Sequence, residues 1–214
     1  MQQRERDMTM TYRVHDLLWG MASTDLPAQA PDWAHEVLRA GQPVVVRRAV
    51  GAPGQVAVGI RGAQRHQRLG AWLSASMIQQ QRSPEQLRLE ADAPLTWPAL
   101  VALARVTPYL DAQGLAWGPT GSVGYQLASG TQVLHADSDL DLVIRAPQPV
   151  PREQARALWA RLQASGCRID TQLETPWGAV ALAEWAGSAR RVLLKRDHGA
   201  CLVDDPWHVQ AHAA

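Results

Sequence analysis

The chain has 214 residues, 46% hydrophobic and 19% charged, with a formal net charge of +1, 14 prolines and two cysteines. That composition excludes a disordered chain, a collagen-like repeat and a disulfide scaffold, and the near-neutral total argues against a protein that coats nucleic acid or an anionic membrane. Cys167 and Cys201 stand singly without CxxC spacing, and no stretch approaches the roughly 18 apolar residues of a membrane span, so a cytoplasmic protein with reduced thiols is expected.

Residues 1–11 read as a frayed lead-in, followed by a short apolar segment around Val14, Leu17 and Leu18 that ends near Gly20. Asp32 is placed to cap a helix running to Arg39, which Gly41 stops. Val44, Val45 and Val46 form a β-branched run, and Val56, Val58 and Ile60 alternate with small residues, which predicts a hairpin. Leu69, Trp72, Leu73 and Met77 fall at helical spacing, predicting a helix over 64–81, and Ser83-Pro84-Glu85 looks like the start of another. A linker at 92–94 suggests two lobes, 1–92 and 93–214, each mixing helices and strands in an α/β (α+β) chain.

Beyond the linker, Thr96 and Pro98 open a helix carrying Leu100, Leu103 and Val106. Leu115 to Trp117 predicts a strand, Ser122 to Leu127 a short helix closed by Gly130, and Val133-Leu134 a small strand. Leu140, Leu142 and Ile144 alternate with Asp139, Asp141 and Val143, giving a strand with one apolar and one partly acidic face. Arg152 to Ser165 reads as an amphipathic helix burying Ala155, Leu158, Trp159 and Leu162. A hairpin, Arg168 to Glu174 and Val180 to Trp185, follows, with one further strand at Val192 to Leu194.

The acidic residues carry the chemistry. Asp139 and Asp141 are two apart on a predicted strand, so they project from one face with Cβ atoms roughly 7 Å apart. Asp170 lies centrally in the next predicted strand and joins them if the two strands are neighbours. Three ionised carboxylates together repel one another, which favours a bound cation, and Mg2+ suits an all-oxygen site shared with phosphate. A solvent-facing acidic stripe is the alternative. Gly121-Ser122 opens a helix after a strand, a place where backbone N–H groups and a hydroxyl can hold phosphate, or where Ser122 merely caps.

Strand, Gly-Ser, short helix, Asp139-Leu-Asp141 and a third Asp after a helix together resemble the nucleotidyltransferase superfamily typified by polymerase beta. More narrowly, Trp117-Gly-Pro-Thr-Gly-Ser-Val-Gly-Tyr-Gln-Leu-Ala-Ser-Gly130, Ser138-Asp-Leu-Asp-Leu142 and Gln172-Leu-Glu-Thr-Pro-Trp-Gly-Ala-Val-Ala-Leu-Ala-Glu-Trp185 resemble the malonate decarboxylase holo-acyl-carrier-protein synthases. His15-Asp-Leu-Leu-Trp19, Pro43-Val-Val-Val-Arg-Arg48 and Val58-Gly-Ile-Arg-Gly62 extend the likeness over most of the chain. The resemblance implies a polymerase-beta-like catalytic lobe with a mixed sheet and a smaller N-terminal lobe for substrate or carrier recognition. It implies transfer of phosphoribosyl-dephospho-CoA from triphosphoribosyl-dephospho-CoA to a serine of the decarboxylase acyl-carrier subunit, with pyrophosphate leaving. Asp139 and Asp141 are then the Mg2+ ligands, Asp170 a third ligand or the group that accepts the serine proton, and Gly121 and Ser122 the pyrophosphate cradle. Another nucleotidyl transfer, such as adenylylation of a small molecule or protein, is the competing reading.

Charge is unevenly distributed. Between Glu36 and Glu85 there is no carboxylate, yet Arg39, Arg47, Arg48, Arg61, Arg65, Arg68 and Arg82 all occur there. Within the predicted elements Arg65 and Arg68 are about one helical turn apart, and Arg61 ends a strand. Arg61 and Arg65 are the candidates for gripping donor phosphates or an acidic carrier, against a solvated face. Lys195, the single lysine, ends a predicted strand and is a candidate to neutralise the triphosphate.

Overall fold

The computed structural model describes residues 12–209, so the expected lead-in at 1–11 lies outside the described residues. The chain divides into two compact units, Met1–Gln81 and Arg82–Ala214, whereas composition placed the division after residue 92. Helices accompany a sheet in each unit, which makes the fold α+β.

The first unit contains β1 (Leu17–Trp19), α1 (Asp32–Arg39), β2 (Val44–Val46), β3 (Gln55–Arg61) and β4 (Arg68–Ser74), with β5 (Gln80–Arg82) at its end. Strand order is β4-β3-β2-β1-β5. Strands β1 to β4 pair antiparallel, and the expected β2–β3 hairpin forms with Val46 opposite Val58. One face of the sheet buries Val44, Val46, Val58, Ile60 and Leu73 against Ala34 and Leu38 of α1. Pro31, not the expected Asp32, is the N-cap of that helix, and Asp32 is its first residue.

The helix expected over 64–81 is a strand, β4, and a single 3-10 turn at Ala75–Met77. Leu69, Trp72, Leu73 and Met77 imitate helical spacing, but the long neighbour β3 supplies a seven-residue ladder from Gln55–Ser74 to Arg61–Arg68. Leu69, Ala71 and Leu73 turn inward on the period of two, and Trp72, 45% exposed, turns out. Likewise Ser83-Pro84-Glu85 opens only a 3-10 turn, Pro84–Gln86.

The second unit contains α2 (Pro98–Asp111), β6 (Ala116–Pro119), α3 (Gly121–Ser129), β7 (Leu140–Arg145), α4 (Arg152–Gln163), β8 (Ile169–Thr175), β9 (Gly178–Ala181), α5 (Leu182–Ala186), β10 (Val192–Arg196) and β11 (Gly199–Val203). Its sheet runs β11-β10-β9-β8-β7-β6. Only β7 and β8 pair in parallel, and α4 makes the crossover that parallel neighbours require. Leu140, Leu142, Ile144, Leu173, Val180 and Val192 bury one sheet face against Leu100, Leu103, Leu158 and Leu162 of α2 and α4. That alternation puts Asp141 and Asp170 on the opposite face.

Several expectations change in detail. Trp97 rather than Thr96 occupies the N-cap of α2, and Val133-Leu134 is not a strand. Trp159, expected inside, is 41% exposed, because the buried stripe of α4 is only Ala155, Leu158 and Leu162 wide. The strand read through Trp185 stops at Ala181 and turns into α5. Arg152 secures that short helix: its Nη1 donates to the Trp185 and Gly187 carbonyls at 3.2 and 2.9 Å, and its guanidinium lies 4.1 Å from the Trp185 ring centroid. Among the described residues no helix is long and apolar enough to cross a membrane.

The Pro84–Gln86 turn lies across β6 because Gly118 has no side chain: a Cβ there would collide with the Pro84 carbonyl. Its Glu85 accepts a 2.8 Å hydrogen bond from Arg145 Nε at the end of β7, with only 10% of the Arg145 and 17% of the Glu85 side chain exposed. Removing one member of such a pair leaves the other charge less well compensated. Glu85→Ala is therefore expected to lower the urea-unfolding free energy by about 2–3 kcal/mol. An unchanged midpoint would show that the pair adds nothing.

Candidate active site

Strands β7 and β8 bring the expected acids together. Asp141 and Asp170 are direct neighbours in the parallel register. Asp139 precedes β7 by one residue and has the same parity as Asp141. One oxygen from each of Asp139, Asp141 and Asp170 lies within 4.8 Å of the others. The segment entering β7 is pinned on both sides: Leu140 N–H donates to the Arg168 carbonyl at 3.0 Å, and the His135 N–H to Ser138 Oγ at 3.0 Å. Asp139 is thus held before the strand begins.

Helix α3 meets the same point. The Thr120 N–H donates to the Asp141 carbonyl at 2.8 Å, fixing the helix entrance to β7. Thr120 is the N-cap, so Ser122 is not the cap but the second helical residue, in the turn where N–H groups lack intrahelical partners. Gly121 has φ +57°, and the Asp141 carboxylate fills the space a Cβ would take, with its carbon 2.8 Å from that position. Only glycine allows both that backbone angle and that approach. The positive end of α3 therefore lies beside an acidic cluster, an arrangement suited to phosphate and cation bound together.

Two participants escaped the sequence reading. Arg168 Nη2 donates to Asp170 Oδ2 at 2.7 Å, with both side chains well exposed. Arg168 immediately precedes β8 and is two residues from Asp170, a spacing that hints at the contact without fixing it. Thr120 carried a signal as well, a capping residue type directly before Gly121. Glu174 shares the parity of Asp170 but is four residues further along β8.

The register does not bring Lys195 to the cluster. It pairs with Ala179, which pairs with Glu174, so it lies two strands over and four residues along from Asp170, roughly 16 Å at ordinary sheet spacings. Its expected contact with phosphate at the acids has no support in this placement. Arg61 and Arg65 belong to the first unit. Arg61 ends β3 directly opposite Arg68, and Arg65 lies in the connection between β3 and β4 rather than on a helix.

Cys167 is beside the site, its Sγ 3.7 Å from the Ser138 carbonyl oxygen. Burial pushes its thiol up, the Leu140 backbone opposes this and the charge of Asp139 adds to the rise. A raised pKa leaves little thiolate near neutral pH. Cys167 should accordingly react with iodoacetamide more slowly than a free cysteine at pH 7; faster alkylation would contradict this environment.

Residues 86–206 match the family model described as phosphoribosyl-dephospho-CoA transferase MdcG C-terminal domain, and residues 13–84 the corresponding N-terminal domain. The chain belongs to the phosphoribosyl-dephospho-CoA transferase family. A relative of that name from Pseudomonas putida is 61% identical over 201 residues, covering 94% of this chain and 98% of the relative. Those from Azotobacter vinelandii and Pseudomonas aeruginosa are 54% and 48% identical, covering 90% and 91% of this chain and 93% of each relative. No solved structure matches the chain. All three acids and Gly121 of this family member fall within the segment matched by the C-terminal model.

Proposed function

We propose that the chain transfers phosphoribosyl-dephospho-CoA from triphosphoribosyl-dephospho-CoA to a serine hydroxyl of the malonate decarboxylase acyl-carrier subunit. The observation that carries this reading is the convergence of Asp139, Asp141 and Asp170 beside the α3 entrance. The serine oxygen forms a bond to the α-phosphorus, the bond from that phosphorus to the bridging oxygen breaks, and pyrophosphate leaves. Family membership supports the donor, and the residue types support the chemistry.

The donor set suits a hard divalent cation: three carboxylates with oxygens within 4.8 Å of one another, and a glycine that makes room for one of them. Bound there by Asp139, Asp141 and Asp170, Mg2+ would supply charge neutralisation for phosphoryl oxygens. The remaining work falls to the chain. The Gly121 and Ser122 N–H groups and the Ser122 hydroxyl receive the leaving pyrophosphate at the positive end of α3. Asp170, held through Oδ2 by Arg168, presents Oδ1 to take the serine proton or to complete the cation site. Arg61 and Arg65 add positive charge for donor phosphates in the first unit.

Intact-mass measurement of the carrier subunit tests the reaction. Incubation with enzyme, Mg2+ and triphosphoribosyl-dephospho-CoA is expected to add one phosphoribosyl-dephospho-CoA per serine and to release pyrophosphate. Modification by ATP or CTP but not by that donor would overturn the assignment in favour of another nucleotidyl transfer.

A further inference from the structure

We infer that the outward face of the first sheet is a platform for an adenosine diphosphate group, built from Arg47, Arg68 and Trp72 around Gly59 and Gly70. The register defines three rows on this face. Arg47 donates its N–H to the Ala57 carbonyl at 2.8 Å, and Ala57 pairs with Trp72. In the next row Val45, Gly59 and Gly70 stand side by side, and in the third Arg61 faces Arg68. The opposite face of the same strands is the core containing Val46, Val58, Ile60 and Leu73.

Arg47 leans out of its own row into the glycine row. Its Cδ lies 3.5 Å from where a Gly59 Cβ would be, and its guanidinium occupies the place of a Gly70 Cβ. The Arg47 side chain is exposed and has no hydrogen-bond or ion-pair partner among the described residues, and no carboxylate occurs in sequence from 37 to 84. An exposed arginine without an acid ordinarily keeps its head in open water. Here two strand glycines, each costing strand stability, create a trough that the guanidinium enters with Nη1 foremost. Glycine inside a strand is explained when something must approach the backbone closely, and that something is the guanidinium.

The flanks of the trough indicate the ligand class. Along β4, Trp72 and Arg68 stand two residues to either side of Gly70 on the same face, each roughly 7 Å away. The indole is 45% exposed. A flat aromatic surface beside a preset guanidinium, with a second arginine beyond, suits a base joined through one ribose to a diphosphate: the base stacks on Trp72 and the phosphates take Arg47 and Arg68. Dephospho-CoA contains that group, so the assignment to the donor rests on the proposed function. A free adenine nucleotide presents the same chemistry.

Equilibrium binding to the full chain without divalent cation tests this, with dephospho-CoA, ADP and inorganic pyrophosphate as probes. Dephospho-CoA and ADP are expected to bind with similar Kd and pyrophosphate at least about tenfold more weakly. Arg47→Gln should weaken dephospho-CoA binding about tenfold or more, and Trp72→Ala about tenfold. Gly70→Val fills the trough with a residue that favours strands, so it is expected to fold at least as well as the natural chain and still lose about tenfold in affinity. Unchanged affinity in these three variants would overturn the platform. Pyrophosphate binding as tightly as ADP with Trp72→Ala silent would overturn the base-stacking part, and binding of ADP without dephospho-CoA would overturn the link to the donor. Failure of the carrier-modification assay would remove the proposed function and leave this binding result standing, so the two can fail separately.

Discussion

Asp141→Asn should reduce transfer to the carrier by about 10^3-fold or more with the fold intact, since loss of a cation that neutralises phosphoryl charge removes several kcal/mol of transition-state stabilisation. The substitution keeps shape and volume. The anchor of α3 survives, because Thr120 bonds to the backbone carbonyl of Asp141 and not to its side chain. Repulsion also falls: with three acid oxygens within 4.8 Å, removing one charge should hold or raise Tm in the absence of divalent cation. The increase in Tm on adding Mg2+, expected for the natural chain, should then disappear. The same pair of results is expected for Asp139→Asn. Nearly full transfer in either variant would contradict the two-carboxylate account.

Gly121→Ala is the second large effect, and it separates position from charge. A single methyl group must take the space held by the Asp141 carboxylate, on a backbone with φ +57°. Alanine in the left-handed region costs about 1–2 kcal/mol, so Tm should fall modestly. Activity should fall much further, by about 10^2-fold, because misplacing a reacting group by about 1 Å has that cost. Ser122→Ala, in the same helical turn but without that collision, should lose less. Equal losses for the two variants would mean that the hydroxyl, and not the close approach of helix and carboxylate, governs the site.

The second unit was more legible in the sequence than the first, for a physical reason. Strand β7 and helices α3 and α4 are bounded by Gly130, Pro151 and Gly166, and their apolar residues keep one period throughout. Residues 64–81 lack that consistency. Gly70 leaves a gap where an outward polar side chain would mark the strand, and Trp72 places an indole on the solvent side, so the apolar residues fall into a false helical pattern. The correction matters for function, because Arg68 and Trp72 face the same way only on a strand. Strand β11 escaped because Gly199 to Val203 alternates small and apolar residues too weakly to stand out without its partner β10.

At the site, sequence spacing was enough to place Asp139 and Asp141 on one face, and the parallel neighbour β8 completes the group with Asp170. The reach of Arg168 to Asp170 and the packing of Asp141 on Gly121 depend on side-chain geometry that no spacing rule contains. The place of Lys195 was not legible for a related reason. Its distance from the acids is set by the β8–β9 and β9–β10 registers, which the one-dimensional pattern does not specify.

Crystals grown with Mn2+ and measured at a wavelength where manganese scatters anomalously test the central claim most directly. The expected result is an anomalous peak bounded by the carboxylates of Asp139, Asp141 and Asp170 beside Gly121, lost in crystals of Asp141→Asn. A fully occupied peak elsewhere in the chain, or carboxylates that stay empty at saturating Mn2+ with donor bound, would contradict it.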